Sequence, residues 1–233
     1  MTETVRNYGD LMKVLDSLLR NPAIFWDGFY ANREKEIPIF VNLPDENLVS
    51  YLREGIIPPG KVLDLGCGAG RNAIFLAENG FEVDAVDLSI TSLEWAKERA
   101  DERGLSINFI HENIFELNVK KEEYDFIYDS GCFHHLAPHR RITYLELLQR
   151  GLKERGHFGI TCFLVGGSLG GADLTDVEVY KKGTLMGGLG YTEESLAQIF
   201  SELGPVELRR MNEGSEAKGT FGSNELLAGL FVK

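Results

Sequence analysis

Leu11, Val14, Leu15, Leu18 and Leu19 fall on one face of a helix predicted over 8–20. Asn21-Pro22 closes that helix and opens another, with proline in its first turn. The aromatic run Phe25-Trp26-Asp27-Gly28-Phe29-Tyr30 comes next, then a charged stretch, then Ile37-Pro38-Ile39-Phe40. Aromatics this dense form either a packed cap or a ligand cover, and packing is the commoner use. Pro44-Asp45-Glu46 starts a helix through Arg53, its acidic first turn suited to the macrodipole. The pattern then changes. Short apolar runs over 61–65, 81–87, 107–110, 124–129 and 156–164 predict buried strands. Helical stretches separate most of them, including 89–103, closed by Gly104, and 138–150, opened by Pro138. That alternation predicts an α/β fold with a parallel sheet. The close differs: a helix over 192–203, then strands over 205–211 and 225–232, whose short link pairs them antiparallel.

Between the fifth strand and that last helix, 166–191 is rich in glycine and carries Asp173, Asp176 and Glu178. Long loops without structure of their own are usually functional or disordered. The segment is expected to be a mobile lid, the plainer alternative being a flexible insertion.

Asp64 is the last but one residue of the first strand, and Gly66, Gly68 and Gly70 follow on alternate residues before a helix containing Ile74, Phe75 and Leu76. A strand, glycine turn and helix in that order bind nucleotide-like ligands, because glycine lets the backbone approach what a Cβ would repel. The dinucleotide fingerprint G-x-G-x-x-G fails here, since Arg71 holds the third glycine's slot. Asp87 closes the second strand near the spacing of about 20 residues expected of a ribose-binding acid. Ser89 is free to cap the following helix.

Composition adds limits. The chain has 233 residues, 43% hydrophobic and 26% charged, ordinary for a globular protein with a sizeable core. Its net charge of −12 opposes nucleic acid and anionic membranes. No apolar run is long enough to span a bilayer, and residues 1–10 do not resemble a signal peptide. Cys67, Cys132 and Cys162 are widely spaced and form no C-x-x-C pair, so neither a disulfide framework nor a zinc site is expected, and a cytoplasmic location fits. No metal is expected elsewhere.

The D-x-G-x-G-x-G pattern resembles motif I of the class I S-adenosylmethionine-dependent methyltransferases. Three further stretches are similar to the branch holding the tellurite-resistance and thiopurine methyltransferases: Trp26-x-x-x-Tyr30 followed by Phe40, Asn113-Ile114-Phe115, and Asp129-x-Gly131 followed by Pro138-x-x-Arg141-x-x-Tyr144. Gly66 to Asn72 and Asp87-Leu88-Ser89 look closer to the tellurite members; the thiopurine members depart in motif I. The resemblance reaches to about Leu164 and does not extend to the lid. It implies a Rossmann-like fold: a mostly parallel seven-stranded sheet with an antiparallel last strand, helices on both faces and a helical N-terminal cap. Residues 1–43 would be that cap, not independent, and 44–233 the methyltransferase domain, with the lid inserted at about 165–191. It implies S-adenosyl-L-methionine as cofactor, held by Trp26, Tyr30, Asp64, Gly66, Cys67, Gly68, Gly70, Arg71, Asn72, Asp87, Leu88, Asn113, Ile114 and Asp129. Asn113 would accept from the adenine amino group, or else make an Asx turn.

The partner expected is a small-molecule methyl acceptor, a thiol or a metalloid oxyanion among the possibilities, with neither nucleic acid nor membrane. A soft nucleophile needs little help, whereas an amine or hydroxyl needs a base. His134 and His135 are the candidates, either as base or as shapers of the pocket. Arg141 would position an anionic acceptor, or simply pair on the helix surface with Glu146. The competing functions are a nicotinamide oxidoreductase, disfavoured by the glycine spacing, and a non-catalytic cofactor-binding module.

Overall fold

The computed structural model describes residues 4–233. β1 (Lys61–Leu65), β2 (Glu82–Asp87), β3 (Asn108–His111), β4 (Tyr124–Ser130), β5 (Leu152–Phe163), β6 (Gly204–Arg210) and β7 (Leu226–Val232) make one sheet in the order β3-β2-β1-β4-β5-β7-β6. β1 pairs parallel with β2 and β4, and β4 with β5. β7 runs antiparallel to both β5 and β6. The expected architecture is therefore present, with the last strand inserted between two earlier ones.

Both faces are covered, as parallel strands require. Alternation along β1 sends Val62 to one layer and Leu63 and Leu65 to the other, all three fully buried. The Val62 layer packs on α3 (Glu46–Arg53), α4 (Arg71–Glu78) and α5 (Ile90–Asp101) through Leu48, Tyr51, Leu76 and Leu93. The Leu63 layer packs on α6 (Arg140–Gly151) and α8 (Glu193–Ile199) through Tyr144, Leu148 and Leu196. Strand order reverses between β1 and β4, and open α/β sheets bind ligands at the carboxyl ends of the strands beside such a point.

Two helices precede the sheet, α1 (Tyr8–Ser17), capped by Asn7, and α2 (Pro22–Tyr30), capped by Asn21. The first stops at Ser17, short of the expected end. β5 begins at Leu152, four residues early, after a register shift against β4 between Tyr124 and Phe126. The glycine-rich segment departs most from expectation. It holds α7 (Asp176–Lys182), started by a capping box between Thr175 and Glu178, and bridges at Leu164–Tyr191 and Ala172–Leu189. Val179, Leu189 and Tyr191 are buried in the core, so the segment has a definite docked structure.

Candidate active site at the carboxyl ends of the strands

Beyond β1 the chain turns through Gly66 and Gly68, at φ 68° and 54°, a left-handed region that disfavours any side chain. A Cβ on Gly68 would stand 2.5 Å from the Tyr30 hydroxyl, and one on Gly66 would stand 2.7 Å from Cys132 Cβ. Asp87 braces the turn from β2: Oδ2 accepts from Gly68 N at 2.8 Å, and Oδ1 from Ser89 N at 2.8 Å. Each oxygen keeps a lone pair for a further donor. Ser89 caps α5, as expected, and its hydroxyl also donates to Asp27 of the cap at 2.7 Å.

The cap lies on this turn. Tyr30 stacks on Phe40 with ring centroids 5.4 Å apart, and both pack with Ala69, Trp26, Phe29 and Trp95. Arg99 ties loop and cap together, donating to Ala69 O at 3.1 Å and Phe40 O at 2.6 Å. Under Tyr30 sits a cavity of about 30 Å³ lined by Asp64, Gly66, Cys67, Gly68, Arg71 and Asn72 of the expected set. Ile39, Ala69 and Ser130 join them. That space suits about one water, whereas small-ligand pockets run from about 300 to 1,000 Å³. Admission of a nucleoside-sized ligand requires Tyr30 to leave Gly68. A larger cleft of about 480 Å³ lies where the strands begin, beside Glu82, Asp84 and Glu123, but Lys61 already pairs with those three carboxylates.

Asp64 Oδ2 is buried without a hydrogen-bond partner. Burial pushes its carboxyl up to about 8, Arg71 opposing and Asp129, Asp45 and Asp87 reinforcing. Burial also raises Asp87, against the N–H groups of Ser89 and Gly68. An unpaired acid facing a glycine turn, with a second acid at the neighbouring strand end, fits a ligand with an ammonium and ribose hydroxyls, the polar groups of S-adenosylmethionine.

Several expected residues have other partners here. Arg71 donates to Asp45 Oδ1 at 2.6 Å and Ser130 Oγ at 2.8 Å, and Asn72 donates to Asp45 Oδ2 at 3.1 Å. Asp129 accepts from Tyr144 Oη at 2.8 Å and from Cys132 N at 2.9 Å, which fixes the turn after β4. Burial lifts its carboxyl to about 7. Asn113 Oδ1 accepts from Phe115 N at 3.1 Å, so the Asx turn is formed. Ile114 is in the core, and Leu88 presents its carbonyl to His111 at 3.2 Å. Gly70 begins α4.

His134 stacks on Phe163 at 3.7 Å, and His135 meets the Trp26 ring edge-on at 4.7 Å. Burial drives His134 well below its usual range and His135 to about 4. Arg141 does not pair with Glu146. It donates to both oxygens of Asp176 at 2.8 and 3.0 Å, which ties α6 to α7 of the glycine-rich segment. Asp45, Ser130 and Phe163 were missed by sequence reasoning. Asp45 was visible only as a helix-start acid, and its bond to Arg71 spans 26 residues.

Among the described residues no helix is long and apolar enough to cross a membrane, and no group of three or more His, Cys, Asp or Glu is placed to hold a metal. Residues 62–156 match the family model for the methyltransferase domain. A probable S-adenosyl-L-methionine-dependent methyltransferase TehB of Haemophilus influenzae is 33% identical over 130 residues, 56% of this chain and 45% of that protein. The chain thus matches about half or less of the length of such curated relatives. Among solved structures, one described under conversion of a disulfide bond into a thioacetal group during echinomycin biosynthesis superposes with TM-score 0.73 at 23% identity, covering 91% of this chain and 92% of the other. Burkholderia thailandensis 1,6-didemethyltoxoflavin-N1-methyltransferase, solved with S-adenosylhomocysteine, gives 0.66 at 23%, covering 100% and 93%. A glycine turn flanked by two buried acids lies on this sheet, and the matches make 62–156 a methyltransferase domain, similar to the S-adenosylmethionine-dependent TehB proteins.

Proposed function

We propose that the chain moves the methyl group of S-adenosylmethionine to a small molecule. The observation that carries this is the unpartnered, buried carboxylate oxygen of Asp64 beneath the Gly66–Gly68 turn. Bound there, the cofactor would supply an activated methyl on a sulfonium. Asp64 would take its ammonium, Asp87 its ribose, and Gly66 and Gly68 would let the backbone close on it. Residues 1–43 would act as the cover, through Tyr30 and Trp26, and residues 165–191 as the lid on the acceptor side. Holding the acceptor in line with the methyl group is worth up to about 7 to 11 kcal/mol.

For the acceptor, a thiol or a metalloid oxyanion is favoured. Relatives include TehB proteins and a structure concerned with disulfide-to-thioacetal conversion. The net charge of −12 disfavours nucleic acid. Calorimetry with S-adenosylmethionine, S-adenosylhomocysteine and NAD is the first experiment. The two sulfur nucleotides should bind and NAD should not; the reverse result would end the proposal. Transfer of labelled methyl across thiols, metalloid oxyanions, phenols and ring nitrogens then identifies the acceptor.

A further inference from the structure

The two neighbouring histidines after β4 are joined in a chain whose direction is set by the backbone. Phe163 N donates to His134 Nδ1 at 3.2 Å. A backbone N–H has no alternative polarity, so His134 Nδ1 carries a lone pair and the proton of the neutral ring sits on Nε2. His134 Nε2 faces His135 Nε2 at 3.1 Å. The second ring must accept there, which puts its own proton on Nδ1. That atom is buried and has no hydrogen-bond partner among the described residues. The surroundings suit a donor. The Gly187 carbonyl lies near enough to favour a proton on this ring, though outside good hydrogen-bond geometry to Nδ1, and the charge of Arg20 opposes a second proton. Trp26 of the cap and Phe163 of β5 flank the ring at 4.7 and 5.8 Å between centroids. Leu189 N donates to His134 O at 2.8 Å, so cap, sheet and lid converge on the pair.

We propose that Phe163, His134 and His135 form a fixed relay that presents His135 Nδ1–H as a hydrogen-bond donor to an oxygen of the methyl acceptor. The pair is then no general base. The acceptor arrives already nucleophilic, and His135 orients it by an oxygen that this N–H recognises. The assignment rests on the methyltransferase proposal and narrows it to oxygen-bearing acceptors.

The relay is tested in the wild-type chain, without any substitution, by two-bond nitrogen–proton correlation spectra of protein labelled with [15N]histidine. The five histidines are assigned from single replacements. His134 should be protonated on Nε2 and His135 on Nδ1, with and without S-adenosylhomocysteine. His135 protonated on Nε2, or exchanging between tautomers, overturns the relay. Function is read with His135→Asn and His135→Gln, whose amides imitate the δ and ε nitrogens respectively. With methyl-labelled cofactor and a panel of nitrophenols ionised at neutral pH, acidic N-hydroxy heterocycles and metalloid oxyanions, the asparagine variant should keep kcat/KM within about threefold. The glutamine variant should lose about tenfold, the effect of one neutral hydrogen bond. Equal, large losses in both variants would indicate a base and overturn the proposal. Calorimetry of the wild type separates the two levels. Absence of S-adenosylmethionine binding removes the methyltransferase proposal itself, whereas intact binding with the wrong tautomer removes only the relay.

Discussion

Asp64 has no partner and little water, and its carboxyl is pushed up to about 8. A carboxyl whose folded pKa lies above its unfolded value stabilises the fold only below the unfolded value. The benefit is lost as pH rises through the folded pKa, here from about 4 towards 8. Asp64→Asn should therefore leave the melting temperature near pH 4 almost unchanged and raise it at pH 8. About 2 to 4 °C is expected, the shift that 1 kcal/mol produces in a domain of this size. The same change should weaken S-adenosylmethionine, because the ammonium loses its acid. A melting difference that stays flat with pH would show that Asp64 is not buried as a strained acid. Asp64, Asp87 and the glycines were legible because their signal is local: a strand end, a spacing, a turn. Arg71 and Asn72 stand in the same motif but serve Asp45 instead. That use depends on how the chain crosses back over α4, which no local pattern encodes.

At the scale of elements, α1 and α7 are fastened to one corner of α6. His139 Nε2 donates to Asp16 of α1 at 2.9 Å, and its Nδ1 accepts from the Tyr180 hydroxyl of α7 at 2.7 Å. Arg140 also pairs with Asp16, and Arg141 with Asp176. Tyr180→Phe removes two bonds from this corner, leaving His139 Nδ1 without a donor and His139 N without an acceptor. Amide exchange across 176–182 should quicken by about tenfold while the melting temperature changes little. Unaltered exchange there would mean that α7 is held by Val179 and the Arg141–Asp176 pair without help from Tyr180. The strands and most helices were legible from their periods. The helix α7 was obscured by the glycine around it, although its start signal, Thr175 followed by Glu178 at the capping-box spacing, is plain in the sequence. The Asp16–His139 link, 123 residues apart, has no sequence signature at all.

Over the whole molecule, the antiparallel pairing of the last two strands was legible from their short link. Their place in the sheet rested on resemblance alone, since nothing in the chain's pattern states which strand lies innermost. The observed order puts β7 between β5 and β6, and among the sheet's pairings β6 has β7 as its only neighbour. Synthesis runs the other way, because β6 is translated first and lacks its native partner strand. Half of the β5 edge, with Ile160 and Cys162 facing Gly229 and Leu227, stays open meanwhile. On ribosomes stalled before Leu226 emerges, 204–210 should be cut readily by protease, and it should become resistant only once β7 is free to insert. Early protection of 204–210 would contradict the topology. A nascent chain of this protein thus carries an uncovered strand edge until 226–232 leaves the exit tunnel. Its exposure to aggregation and its need for chaperones are set by the interval between translation of β5 and of β7.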